Sequence, residues 1–413
     1  MLKAQNAAPR RGIRRSGTFI LSALSGSHGL FHALDQSLIV LLPEIKEAFS
    51  LSPVGVGLIA ATERTADGLV SAPAGIVTDM HRRRWGLVLA ICMGLFGLGW
   101  LVIGSAPVFP ILLVGISMIA VASSIWHLPA TAVLSQHFQH KRATALAFHG
   151  VGGNIGDVIG PVITTAILLG FLTWRGVLGV YAMVPLALVL VVFWAFRTIG
   201  DDGRQGPPAT WRGQIELTKV LMRNKTLWAI NLLSALRNVT FVSLVTFLPI
   251  YFHDDLGMSF RARGMHLALL MFVGILSTPV LGYLSDRIGR KPVLVPALIA
   301  LCVLTLLLVP FGSGVPLILI IALLSVFLYS DQPILTAAAL DIVGGKVVNT
   351  TLGVMAATRV IPSAAAPLLA GGLYHAFGIG ALFYFVAAVF ALSAVLMAVL
   401  PLGDSRSPAA KEA

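Results

Sequence analysis

Gly75-Ile76-Val77-Thr78-Asp79 leads into His81-Arg82-Arg83-Arg84, and 207 residues later Gly282-Tyr283-Leu284-Ser285-Asp286 leads into Arg287-Ile288-Gly289-Arg290-Lys291. Each stretch joins two long apolar runs. A repeat at half the length of a 413-residue chain is the signature of two similarly built halves.

Outward from both copies the sequence is apolar: 57% of residues are hydrophobic, 11% are charged and the mean hydropathy is +0.90. That excludes an ordinary soluble domain and puts the chain in a bilayer. A crossing helix needs about 20 mainly apolar residues. Twelve such segments can be marked, at 18–42, 54–77, 85–104, 108–134, 143–170, 174–196, 226–252, 263–285, 292–311, 315–338, 349–375 and 378–401. They are rich in Leu and Ala and too long for the alternating strands of a membrane barrel. The expected class is an all-α integral membrane protein of twelve transmembrane helices in two pseudo-symmetric six-helix bundles. The expected divisions are a basic N-terminus (1–17), a first bundle (18–196), a linker (197–225) containing Asp201-Asp202-Gly203 and Gly206-Pro207-Pro208, a second bundle (226–401) and a tail (402–413).

The net charge of +12 invites a nucleic-acid reading, but its distribution argues against one. With the N-terminus in the cytoplasm, 22 of the 29 basic residues fall in inside segments, and only Lys46, Arg175, Arg261 and Arg263 fall outside. This is the positive-inside pattern of a multi-pass protein of the cell inner membrane with both termini cytoplasmic. Residues 1–17 superficially resemble a signal peptide, yet the following run holds His28, His32 and Asp35 and is too long for an h-region, so an uncleaved first helix is expected. Cys92 and Cys302 sit in apolar runs and read as packing residues.

Further echoes connect the halves. Trp126-His127-Leu128-Pro129 of the fourth segment aligns with Ser330-Asp331-Gln332-Pro333 of the tenth, and Gly160-Pro161 of the fifth with Ala366-Pro367 of the eleventh. Together with the twelve segments and the central basic loop, the paired motif resembles the major facilitator superfamily, whose motif reads approximately G-x-L-a-D-r-x-G-r-k. Gly282–Lys291 fits fully, whereas the first copy has Val77, Met80 and Arg82 in place of Leu, Arg and Gly. The resemblance implies secondary transport by halves that rock around a central site, with Gly75, Asp79, Arg83, Gly282, Asp286 and Arg290 acting as conformational latches. In physical terms, the glycines would admit a close neighbouring helix, and each aspartate would accept hydrogen bonds from the amides of a facing helix N-terminus. The other reading is a basic loop with an acidic cap.

Ionisable groups inside a bilayer cost about 2.5–3.5 kcal/mol each on insertion scales and therefore need partners or a task. His28, His32 and Asp35 share one helical face; they read either as a proton-exchanging group or as a buried histidine bonded to a neighbouring helix. Glu63, Arg64 and Asp67 lie in the second segment, and Arg359 lies at similar depth in the eleventh. The resemblance implies that these segments pack together, with Arg359 bridging to Glu63 or Asp67. It also implies that segments one, four, seven and ten line the cavity. That makes His28, His32, Trp126, His127, Arg237, Asp331 and Gln332 candidate substrate contacts. Arg237 offers a fork suited to a carboxylate or phosphate, unless Asp331 claims it. Asp35, His32, Glu63, Asp67 and Asp157 are the candidate proton carriers.

In the fifth segment, Gly152, Gly156 and Gly160 make a smooth face, and Gly156–Pro161 is similar to the core of the family's antiporter motif. Thr164 and Thr165 depart from that motif, and Gly115 and Ser117 stand where the fourth segment would carry its arginine. The run from His127-Leu128-Pro129 to His149–Asn154, with the histidine-bearing first segment ending at Leu42-Pro43, is similar to the fosmidomycin-resistance-like branch of exporters. This implies efflux of a small anionic compound.

No G-x-x-x-x-G-K-[ST] loop is present to power the chain with ATP. A proton gradient is the expected drive, with a small anionic or zwitterionic molecule as cargo, export preferred to import, and no cofactor, metal ligand or nucleic-acid partner. The chain is expected to work as a monomer in the lipid bilayer. A membrane-embedded enzyme is the alternative of another class. It lacks support from an H-E-x-x-H pair or a nucleophile motif.

Overall fold

The computed structural model describes residues 13–80, 84–138, 142–170, 172–197, 199, 223–343 and 348–400. Among them there is no strand. A short 3-10 turn, Ile13–Arg15, precedes α1 (Gly17–Ala48), α2 (Pro53–Met80), α3 (Trp85–Ser105), α4 (Phe109–His137), α5 (Arg142–Gly170) and α6 (Trp174–Phe196). After the linker follow α7 (Lys225–Ile250), extended by a π turn (Tyr251–Asp255), then α8 (Phe260–Ile288), α9 (Arg290–Phe311), α10 (Gly314–Leu328), α11 (Asp331–Val343), α12 (Val348–Phe377) and α13 (Ile379–Val399). Side-chain oxygens of Ser16, Thr173, Asn224 and Ser259 accept from the first-turn amides of α1, α6, α7 and α8.

Among the described residues, ten spans are long and apolar enough to cross a membrane, α10 and most of α11 counting as one. Neither α1 nor α2 is among them, although at 32 and 28 residues both have the length. These are the helices that carry His28, His32 and Asp35, and Glu63, Arg64 and Asp67. Polar content lowers their hydropathy, and the packing below shows how they are accommodated.

Lipid gives no hydrophobic drive for helix association, so backbones must approach closely enough for dispersion to hold them. The glycine face of α5 does this against α1. A β-carbon on Gly152, Gly156 or Gly160 would overlap the Ser25, Gly29 or Ala33 carbonyl, and one on Gly29 would lie 2.7 Å from the Gly152 carbonyl oxygen. On the first side α3 packs against α4 and α6, and α2 against α4; on the other, α9 packs against α10 and α13, and α12 against α7. Contacts between α2 and α12 and between α5 and α8 join the two sets.

The short turns at residues 49–52, 106–108, 172–173, 256–259, 312–313 and 378 share one end, here the hairpin end. The chain returns to the linker end between α2 and α3, α4 and α5, and α8 and α9. The last of these turns is made at Gly289, whose φ of +103° requires glycine, and which is the loop glycine of the second motif copy. The first copy has Arg82 there, which lies outside the described residues.

Candidate functional site

Polar side chains converge in the interior. His28 and His32 stand one turn apart on α1, His127 reaches them from α4, and His149 and Asp157 from α5. The His28 Nδ1 lies 2.8 Å from the His149 carbonyl oxygen, the His127 Nδ1 2.6 Å from the Ser123 carbonyl oxygen, and the His32 Nδ1 2.8 Å from an Asp157 carboxylate oxygen. The His28 and His127 Nε2 atoms face each other at 3.1 Å. Trp126 and His149 stack on the His28 ring, with centroids at 6.0 and 4.1 Å. Gly153 makes room for that ring, since a β-carbon there would sit 2.7 Å from His28 Cε1. The sequence placed His28 and His32 on one face, and the resemblance put His127 in the same cavity; that His149 and Asp157 of α5 complete the cluster was not read from it.

Beside the histidines a cavity of about 70 Å³ opens between α1, α2 and α7, with Asp35, Gln36, Glu63, Arg64, Phe241 and Thr246 in its wall. Asp35 accepts weakly from Ser123 at 3.5 Å, and Glu63 pairs with its neighbour Arg64 at 3.3 Å. The expected bridge from Arg359 to Glu63 or Asp67 is not formed. The two helices do pack, with a β-carbon on Gly68 clashing against Val360, but the Arg359 Nε donates to the Met355 carbonyl of its own helix at 3.1 Å. Asp67 instead keeps company with Ser71, whose hydroxyl donates to the Asp67 carbonyl at 2.7 Å and lies 2.8 Å from that of Ser124. A larger apolar groove of about 550 Å³ lies between α5 and α8, away from the histidine cluster and the acidic wall.

Arg237 and Asp331 form the pair that competes with an anion-binding role. The Arg237 Nε donates to Asp331 at 2.5 Å, its Nη2 donates to the Leu328 carbonyl, and the guanidinium lies 4.6 Å from the Phe241 centroid. The arrangement follows from the break between α10 and α11. Ending a helix at Leu328 frees carbonyls and starting one at Asp331 frees amides. A cation bonded to the first and a carboxylate at the second compensate both. Gln332 bonds to Ser234 of α7.

The latch takes a different form from the one expected. Asp286 pairs with Arg290 four residues on, and Arg290 also donates to Asp341 of α11 at 3.0 Å and to the Ser285 hydroxyl at 3.0 Å. The contact thus runs through a guanidinium rather than through helix amides. Nor does Gly282 admit a neighbour: a β-carbon there would meet nothing within 4 Å, because that face of α8 is open. Gly75 lies on α2, but its surroundings, the Asp79 side chain and Arg83 fall outside the described residues.

The chain matches the family model of the Major Facilitator Superfamily over residues 24–276 and 254–413. It belongs to that superfamily. The superfamily is a transport fold, which removes the enzyme alternative. The fosmidomycin resistance protein of Escherichia coli (strain K12) is 25% identical over 305 residues, 72% of each chain, which bears out the resemblance to that branch. The probable nitrate/nitrite antiporter NarK1 of Thermus thermophilus is 27% identical over 260 residues, 60% of this chain and 57% of that one. A solved bacterial homologue of the human lysosomal transporter Spinster, inward-facing and unoccupied, superposes with a TM-score of 0.79 at 16% identity, covering 94% of this chain and 97% of that one. Identity that low speaks for the fold alone.

For a superfamily member, the informative features that the sequence reading missed lie at the hairpin end. Arg263 of α8 donates to Glu44 of α1, Lys46 pairs with Asp254 at 2.7 Å, and Glu47 lies 3.4 Å from His253. Tyr374 of α12 donates to Asp255. The only signal for them in the sequence was a set of outside charges, Glu44, Lys46 and Glu47 on one hairpin and Asp254, Asp255 and Arg263 on another.

Proposed function

We propose that this chain is a proton-coupled secondary transporter of the inner membrane that exports a small organic anion or zwitterion by alternating access. Residues 18–196 and 226–401 act as two six-helix bundles around the interior cavity, with the linker end in the cytoplasm. The observation that carries the reading is the acidic wall of Asp35 and Glu63 inside the cavity, beneath a hairpin end tied across both bundles by ion pairs. Carboxylates within the membrane interior, reachable from one side at a time, are what proton coupling requires. The printed names of the relatives, a resistance protein and an antiporter, support export over import. Arg359, and Arg64 where it is not neutralised by Glu63, are the cations open to an anionic cargo, since Arg237 is held by Asp331 in this conformer.

The test is flux in inside-out vesicles energised with a pH gradient, acid inside, using a panel of organic anions with cations and sugars as controls. Collapse of the gradient should stop accumulation of at least one anion. Asp35→Asn should abolish the response to pH while leaving gradient-free exchange intact. Accumulation indifferent to the gradient in wild type would remove proton coupling from the proposal.

A further inference from the structure

The histidine cluster is organised more tightly than a transport cavity needs. Each ring of His28, His32 and His127 gives one nitrogen to a group that can only accept: a carbonyl for His28 and His127, a carboxylate for His32. Their Nδ1 atoms therefore carry the protons, and in the neutral rings each Nε2 presents a lone pair. Two such lone pairs, those of His28 and His127, face each other at 3.1 Å. This arrangement is repulsive unless a cation lies between them.

The spacing suits a metal ion. Zinc–imidazole bonds of about 2.0–2.1 Å in a tetrahedron place ligand nitrogens about 3.3 Å apart. One ring nitrogen from each of His28, His32 and His127 lies within 4.8 Å of the others, close enough for small side-chain rotations to bring all three onto one ion. Metal-bound histidines characteristically donate their second nitrogen to a carbonyl or carboxylate, which fixes the ring and strengthens the ligand. All three rings already have that arrangement here. The Trp126 and His149 rings lie nearly parallel to that of His28, and both ring nitrogens of the 3% exposed His149 lack partners, leaving a further buried donor at the cluster.

We propose that His28, His32 and His127 form a binding site for a divalent transition-metal ion of the zinc class, with Asp157 and the carbonyls of Ser123 and His149 holding the rings. Imidazole donors favour zinc, cobalt, nickel and copper over magnesium and calcium. The site lies on α1, α4 and α5. The His32 side chain, 32% exposed, marks the side from which an ion enters and where a fourth position remains for water or an anionic oxygen.

The experiment needs no transport assay, so its failure is separate from that of the transport reading. The full chain, purified with an affinity tag free of histidine and stripped with a chelator, is dialysed against zinc chloride, cobalt chloride or magnesium chloride, and bound metal is counted. Wild type should hold one zinc or cobalt per chain, cobalt giving the absorption bands of tetrahedral coordination, and no magnesium. The paired change His28→Gln with His127→Gln should abolish binding. Asp157→Asn should weaken it about 10–100-fold, and His375→Ala, exposed at the hairpin end, should leave it unchanged. Monodisperse wild-type protein that takes up no zinc would overturn the proposal and leave a shared proton as the cation. Zinc retained at full affinity in the paired variant would overturn it equally. If that variant does not purify, the wild-type stoichiometry and the Asp157→Asn shift decide.

Discussion

Glu44→Gln offers the sharpest perturbation of the conformational cycle. In this structure Arg263 has a side chain only 2% exposed and Glu44 one 10% exposed, and they pair across the hairpin end between α1 and α8. The Arg263 Nε and Nη1 have no partner, so Glu44 is the recorded acceptor for this guanidinium, apart from the face of Phe260 at 4.6 Å. Removing one member of a buried pair strands the other charge, at a cost of about 3–5 kcal/mol. The penalty applies only to the conformer in which the pair is formed. Taking about 3 kcal/mol, the equilibrium between hairpin-closed and hairpin-open states shifts roughly 150-fold toward open. The assay is the rate at which a membrane-impermeant thiol reagent, added at the hairpin end, labels a cysteine at Thr246 in a background without Cys92 and Cys302. Thr246 is 6% exposed and lines the cavity under the ion pairs. Labelling should accelerate by well over tenfold in Glu44→Gln and in Arg263→Ala. Rates within twofold of the parent in both variants would refute the gate.

Three other outcomes are expected. Gly156→Val should destabilise the protein by about 1–3 kcal/mol, because its β-carbon would meet Gly29 and Ala33 backbone that cannot give way; Gly150→Ala, with nothing within 4 Å, should be silent in the same thermal-unfolding assay. Asp331→Asn should lower the unfolding temperature by stranding Arg237. The apolar pair Arg237→Met with Asp331→Leu should restore it, and transport by the restored protein reads out whether the pair has any role beyond structure. Arg290→Ala should slow transport at unchanged expression by releasing Asp341 as well as Asp286; rates equal to wild type in reconstituted vesicles would leave the second motif copy a mere loop.

Where the fold was legible, the reason was periodic: apolar runs of helical length, ten of which stand as candidate spans among the described residues, and a glycine every fourth residue in α5 express local geometry. The glycine face met α1 as its spacing required. The site was legible only in part, because its contacts join segments far apart in the chain. His28 and His32 could be placed on one face from their spacing, but the approach of His127, 99 residues from His28, and of Asp157, 125 residues from His32, depends on how α4 and α5 seat against α1. The partners that Arg359 and Arg237 take have a related cause: Arg359 does not reach Glu63 or Asp67, and Arg237 takes the Asp331 pairing that stood as its alternative. A long guanidinium takes the nearest satisfied geometry, and for both that included a backbone carbonyl, at Met355 and Leu328.

Among the described residues, the second motif copy and the closure of the hairpin end are separate matters. Every recorded contact of Arg290, to Asp286, Ser285 and Asp341, stays within α8, α9 and α11. Among the described residues, the ion pairs that join the first six helices to the rest are Glu44–Arg263 and Lys46–Asp254, with the Glu47–His253 contact beside them, all at the hairpin end. None of these pairs lies in the second motif copy, and the two sets of helices are joined as well by the packing of α2 against α12 and of α5 against α8. The consequence for transport is directional. Opening the hairpin end means separating two ion pairs and the Glu47–His253 contact at once, and in the proposed cycle that cost is offset by cargo or proton binding in the cavity below, where Asp35 and Glu63 stand. A cargo whose charge neutralises part of that wall would favour one state over the other, and differential binding of that kind is the only way a ligand can drive the change.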